Sequence, residues 1–293
     1  MPGSAIEGVR LDHVAHAMPR WQDVWDRYAT ELGAEWSSGG PGPGFAPGQV
    51  RFGNDARLEI LMPYDPHLND FLQRFLQSNG PGPHHLTFKV PNLTDAIDHC
   101  RAVGFEPIGI SRTDPEWMEA FLHPKVASGV VVQLAEAPNA WSSPPPDDYP
   151  TARRQRRDGS GPVPPAALHR VVHAVADLER ATELFVGLLG ADVGGSGERP
   201  DHRWMDLDWG GPLSLRLVAP RAEQPSTPLR EWLLGRSGRI HHLEFDVEEP
   251  DAVGVTTPGS PATLGLDLGP SDRPYWIIRP EANLGLRLML SAP

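Results

Sequence analysis

One cysteine, two lysines and no long apolar run mark this chain of 293 residues. The lone Cys100 has no partner for an internal disulfide. No stretch approaches the roughly 20 apolar residues a membrane helix needs, and the start, MPGSAIEGVR, lacks the apolar core of a secretory signal. These absences point to a cytoplasmic protein with no membrane partner. Positive charge is also short: the net charge is −12, and only Lys89 and Lys125 are lysines among 26 basic residues. A phosphate-binding surface needs a basic face, which argues against nucleic acid as a partner. The one basic cluster, Arg153, Arg154, Arg156 and Arg157, sits in a Pro-rich stretch and reads as solvated linker rather than interaction tail. Apolar residues at 39% and charged residues at 22% are ordinary for a globular chain.

What is present is a repeat. LDHVAHAM at 11–18 returns as LHRVVHAV at 168–175, and HHLTFKV at 84–90 returns as HHLEFDV at 241–247. The chain is therefore read as a duplication with two cores, residues 1–137 and 166–293, joined by a Pro-rich linker over 138–165. The linker is expected to pack poorly against either half and to be the first site of proteolysis. Each copy splits into two modules that begin with a short apolar strand. In the first, a strand over 9–18 precedes a helix over about 20–32 closed by Gly33, then strands at 49–52 and 57–62. The second has a strand at 85–90, a helix over 94–103 and strands near 107–111, 119–123 and 130–134. The third has a strand at 171–175, a helix around 181–189 and strands at 204–209 and 213–218. The fourth leaves room only for a vestigial helix in VEEPDAVGVTTPGSP.

Side chains on a strand alternate between faces. His13 shares a face with Ala15, His85 with Thr87, Glu59 with Leu61 and Gln133 with Val131. His16, His84, His173 and His241 fall on the opposite faces and are assigned structural roles. The repeated modules place His13 and His85 at matching positions, whereas the second copy has Arg170 and His242 there.

The strings LDHVAHAM, GPGPHHLTFKVPNLTDAIDHCRAVGF and EAFLHPKVASGVVVQLAEAP resemble the vicinal oxygen chelate superfamily, and within it the methylmalonyl-CoA epimerase and glyoxalase group. The resemblance covers residues 8–138 well and 166–293 more loosely. It implies an α+β fold of two tandem units, four βαβββ modules in all, each pair of modules forming a cleft for a divalent metal. It also implies ligands from the first and last strands of each module, which are His13, Glu59, His85 and Gln133 here. Such a set leaves positions open for substrate and suits zinc, manganese, cobalt, nickel, iron or magnesium. In the second copy the matching residues are Arg170, Arg216, His242 and Met289, and two guanidiniums exclude a cation. Those arginines either bind an anionic group or pair with Asp206, Asp208 or Glu244 in a cleft that serves as scaffold.

The resemblance also implies proton removal next to a thioester by two carboxylates, and here the chain departs from it. No Asp or Glu lies between Glu35 and Asp55, and Gln133 stands where relatives often carry a carboxylate. The expected activity is therefore that of a metal-dependent isomerase or lyase on a small oxygen-chelating substrate, with Glu59, the Gly40 to Gly48 loop or the second copy handling the proton. Lys89 and Lys125 could engage an anionic substrate. Two other classes stay open: an extradiol-type Fe(II) dioxygenase using His13, His85 and Glu59, and a metal-free binding protein of the antibiotic-sequestering kind. Either a monomer or a homodimer fits.

Overall fold

The computed structural model describes residues 5–139, 141–224, 226–268 and 273–293. The first four residues, part of the start considered above, lie outside it. Two eight-stranded mixed sheets form, one from each copy. The first orders its strands β2-β3-β4-β1-β5-β8-β7-β6, with β1 Arg10–Ala17, β2 Glu35–Gly39, β3 Gly44–Arg51, β4 Arg57–Tyr64, β5 Gly82–Lys89, β6 Ile108–Ser111, β7 Met118–Leu122 and β8 Val131–Glu136. The second repeats the order as β10-β11-β12-β9-β13-β16-β15-β14, with β9 Ala167–Val175, β10 Asp192–Glu198, β11 His202–Asp208, β12 Ser214–Pro220, β13 Gly238–Asp246, β14 Thr257–Pro258, β15 Tyr275–Ile278 and β16 Leu288–Ser291. In each sheet the first strands of two modules pair antiparallel and each runs parallel to the last strand of its own module. This is the α+β fold of two tandem vicinal-oxygen-chelate units.

The helix expected after β1 forms as a short 3₁₀ turn, Trp21–Val24, followed by a π-helical stretch, Asp26–Glu31, that buries Tyr28. The second module's helix is α-helical, Leu93–Ala102, capped by the Asn92 side chain on the Asp95 amide. In the fourth module the helix after the first strand shrinks to the turn Pro250–Ala252, as its composition suggested, and a four-residue helix, Pro261–Leu264, follows β14. Strands β2 and β10 escaped notice because EWSSG and DVGGSGE lack apolar alternation. The segment read as a loop over 40–48 enters β3 at Gly44. A helix over Phe71–Asn79, also unforeseen, lies between the two modules.

The two copies share one apolar core. Phe88 of β5 is fully buried, its ring 6.2 Å from Phe185 and 5.0 Å from Trp209 of the other copy. Phe52 meets Phe245 at 5.0 Å, and the Asn54 side chain bonds the backbone of Leu168 on both its amide and its carbonyl. Backbones touch as well: a Cβ at Gly238 would lie 1.9 Å from the Ser128 carbonyl, and one at Gly285, already at φ +81°, 2.0 Å from that of Pro81. Matching histidines complete the join. His16 Nε2 donates to Leu284 O at 2.8 Å, and His173 Nε2 donates to Ser128 O at 2.9 Å. Phe88→Ala removes a ring that both copies enclose and should cost about 3–5 kcal/mol, read as a lower urea midpoint. A midpoint shift like that of an exposed-site substitution would contradict a shared core.

Parts of the 138–165 segment pack against both copies, more than its composition suggested. Val163 is buried, Tyr149 donates its hydroxyl to Ala34 O and stacks against Trp25, and Arg154 bonds Thr30 O through its amide. The basic cluster is not left to solvent either. Arg153 pairs with Glu35, Arg154 with Glu249, Arg156 with Glu248 and Arg157 with Asp251, so it bridges the first copy to the second. Carboxylates distant in sequence supply the partners that local composition could not reveal.

Candidate metal centre

A band of paired residues crosses the first sheet. Gln49 on β3 opposes Glu59 on β4, which opposes Ala15 on β1. His13, on the same face as Ala15, opposes Thr87 on β5, and Thr87 opposes Gln133 on β8, which opposes Phe121 on β7. Above this band, single ligand atoms of His13, Glu59 and His85 lie within 4.8 Å of one another, and all three residues are buried. Glu59 Oε1 is 3.8 Å from His13 Nε2, and its Oε2 is 3.3 Å from His85 Nε2. Desolvation alone would raise the Glu59 pKa, but His13 and His85 together hold it below the usual carboxylate value.

The fourth expected ligand, Gln133, joins through Thr87. The Thr87 hydroxyl lies 2.5 Å from Gln133 Oε1 and 2.9 Å from His13 Nε2, and its one hydrogen can serve only one of these two acceptors. Gln133 Nε2 in turn donates to Glu119 Oε2 at 2.6 Å, which turns the amide oxygen toward the cluster. Glu119 was missed by sequence reasoning. It lies two residues before Phe121 on β7, hence on the site face, and also accepts from Trp117 Nε1 at 2.9 Å. The signal was available in the alternation of MEAFL, but only the pairing of β7 with β8 shows which residue it meets.

Two β-bulges add residues that simple alternation places elsewhere. Asp12 has no partner in the register between Leu11 and His13, and its Oδ2 lies 2.8 Å from His13 Nδ1. Burial would raise the Asp12 carboxyl, but His13, Lys89 and Arg57 bring it down to about 2. The ionised carboxylate accepts the Nδ1 hydrogen of His13 and leaves Nε2 with its lone pair toward the cluster. At the second bulge, His84 and His85 together oppose the single residue Ala15. Both rings therefore lie on the site side: their Nδ1 atoms are 2.8 Å apart, and His84 packs edge-on against Phe75 at 4.6 Å. The assignment of His84 to the opposite face is corrected, as is that of His241, which is the extra residue of the matching bulge in β13 and lies 5.1 Å from the Trp232 ring. His16 and His173 do lie on the core face, as expected, and their ring nitrogens bind the other copy. Lys89 sits at the margin, 3.8 Å from Asp12 and over the Trp117 ring, while Lys125 is exposed in the turn before β8.

The donor set fits a divalent cation. Two imidazoles and a carboxylate converge, and His85 Nε2 is buried with no hydrogen-bond partner among the described residues. The second copy's cleft is filled by its own charges. Arg216 forks onto Asp206 at 2.6 and 2.7 Å, and Arg170 reaches Glu244 at 3.1 Å. The pairing alternative holds there, with Met289 offering no oxygen where Gln133 stands.

The fold and this histidine and carboxylate cluster define a glyoxalase-like protein built from paired βαβββ modules. Residues 11–164, just over half of the chain, match the glyoxalase-like domain, and the chain belongs to that family, within the vicinal oxygen chelate superfamily. It is 32% identical to the mitochondrial methylmalonyl-CoA epimerase of Mus musculus over 138 residues, 44% of this chain and 73% of the relative. The human enzyme is also 32% identical, over 46% of this chain and 78% of its own. A mutant of 4-hydroxymandelate synthase from Streptomyces coelicolor matches 96% of this chain and 92% of its own with a TM-score of 0.63 at 14% identity, a likeness of fold. Among the described residues no helix is long and apolar enough to cross a membrane.

Proposed function

We propose that this protein is a metal-dependent isomerase or lyase acting on a small substrate with neighbouring carboxylate, keto or thioester oxygens. The observation that carries the reading is the buried convergence of His13, Glu59 and His85 with His85 Nε2 unpartnered. His13, Glu59 and His85 would hold one divalent ion, with Gln133 Oε1 as a weaker fourth ligand; zinc, manganese, cobalt, nickel, iron and magnesium all suit the set. The ion would supply a Lewis acid that polarises a substrate carbonyl and favours the enolate formed when an adjacent C–H proton leaves.

This chain's residues divide the remaining work. Asp12 fixes the His13 ring, and Glu119 fixes the Gln133 amide. Glu59 lies between two imidazoles that keep it ionised, which suits a ligand better than a proton acceptor. Glu119 is a further carboxylate on the site face, half-buried and hydrogen-bonded to Gln133 and Trp117 where Asp12 and Glu59 engage histidines, and takes the proton-acceptor role in this reading. Glu119→Gln should then lower turnover by about 10²–10⁴-fold while the metal stays bound, whereas Glu59→Gln loses both.

Gln49 and Gln133 present amides, which do not accept a proton near neutral pH. With Glu119 as the single base, no group is left to return a proton to the opposite face, so little epimerisation of methylmalonyl-CoA is expected even with metal bound. Rapid epimerisation by the wild-type protein would favour an epimerase instead. Near-stoichiometric divalent metal in the purified protein, with deuterium entering other keto or thioester substrates, supports the proposal; absence of both ends it. Two histidines and one carboxylate also match the Fe(II) triad of oxygen-using enzymes. Bound iron with oxygen consumption selects that second reading.

A further inference from the structure

Both copies carry a pair of adjacent histidines at a β-bulge, with Nδ1 to Nδ1 distances of 2.8 Å for His84 and His85 and 2.7 Å for His241 and His242. Two neutral imidazoles at that distance share one hydrogen: one ring donates, and its far nitrogen is bare; the other accepts, and its far nitrogen carries a hydrogen. The direction of the pair thus decides whether His85 Nε2 or His242 Nε2 can ligate a cation.

In the second copy the direction follows from the neighbours. Arg287 Nη1 donates to His241 Nε2 at 2.9 Å, and a guanidinium only donates. His241 must therefore carry its hydrogen on Nδ1 and donate it to His242. The far nitrogen of His242 then bears a hydrogen and faces Glu244 Oε1, an acceptor, at 3.4 Å. In the first copy the register places Val131 where Arg287 stands: Thr87 opposes Gln133 as Glu244 opposes Met289, and Val131 and Arg287 each lie two residues earlier. Valine has no donor, and among the described residues none reaches His84 Nε2; His85 Nε2 faces Glu59 Oε2 at 3.3 Å, so the pair can point either way until a cation takes that nitrogen.

We propose that the residue two positions before the last-strand ligand position sets the direction of the histidine pair, so that Val131 leaves His84 free to accept from His85 and bare its Nε2 for a cation, while Arg287 locks His242 in the opposite, non-ligating form. His84 is a positioning residue for His85, in the role that Asp12 has for His13. Arg287 therefore blocks metal in the second cleft independently of Arg170 and Arg216.

The inference rests on reading the first site as a metal centre, and its test separates the two. In the full chain, ¹⁵N NMR of the histidine rings should show His242 with its hydrogen on Nε2, with or without added zinc. Arg287→Met should shift part of His242 to the Nδ1–H form. On zinc titration His85 should carry its hydrogen on Nδ1 with Nε2 coordinated, and Val131→Arg should oppose that form and weaken zinc binding at least ~10-fold. Absence of zinc binding in wild type would end the metal reading, yet the His242 tautomer would still be readable. Wild-type His242 with its hydrogen on Nδ1, or Val131→Arg with zinc affinity and His85 tautomer unchanged, overturns the inference.

Discussion

His85→Ala is expected to abolish binding of a divalent metal, and His242→Ala to leave it intact, when zinc is titrated into the full chain and followed by calorimetry. The two residues hold matching positions, so the asymmetry comes from their surroundings. His85 Nε2 faces Glu59 at 3.3 Å with His13 alongside, and among the described residues no guanidinium pairs with that carboxylate. His242 Nε2 faces Glu244, which is already taken by Arg170 at 3.1 Å, beside an Arg216 held by Asp206. A divalent ion there would meet two guanidiniums, and in a partly desolvated cleft that repulsion is only weakly screened. Equal metal loss from both variants would refute the assignment of chemistry to the first copy.

Acid should destabilise the protein between about pH 6.5 and pH 4, before carboxylate protonation dominates. His16 and His173 are fully buried, and desolvation lowers both to about 4, more than the Leu284 and Ser128 carbonyls raise them. Above the ordinary value of 6.5 both states are neutral and the groups contribute no pH dependence. As pH falls below it the unfolded chain takes up protons that the native chain refuses until about 4, so stability is lost across that window. Each histidine accounts for about 3 kcal/mol at the acid end. His84, brought to about 3 by desolvation and His85, adds to the same slope. Urea midpoints measured from pH 7.5 downward should fall steeply through this range, and less so in His16→Gln/His173→Gln, where the amide can still donate to the carbonyls. A midpoint unchanged down to about pH 4.5 would mean these rings are not buried neutral.

Much of this was legible in the chain itself because repetition is a one-dimensional signal. The two HH strings and the two strands that open the copies announce four modules, and alternation within RLEILMP and VVQLAE puts Glu59 and Gln133 on a common face with His13 and His85. The ordinary strand period carries that inference, since it depends only on local backbone geometry. It fails wherever a bulge adds a residue: Asp12 and His84 fall on the wrong face by counting, and only the pairing of β1 with β5 shows both turned toward the site. Glu119 and Gln49 are ordinary residues in their own strands and gain meaning from neighbours 14 and 36 positions away, Gln133 and His13. The pairing of the linker was hidden for the same reason, because Arg154, Arg156 and Arg157 find their partners about 90 residues downstream on the other copy and Arg153 finds Glu35 far upstream. Local periodicity determined the modules and the ligand candidates; the direction of hydrogen bonds, the places of Asp12 and Glu119 and the fusion of two copies around one core depended on long-range register, which only the folded chain creates.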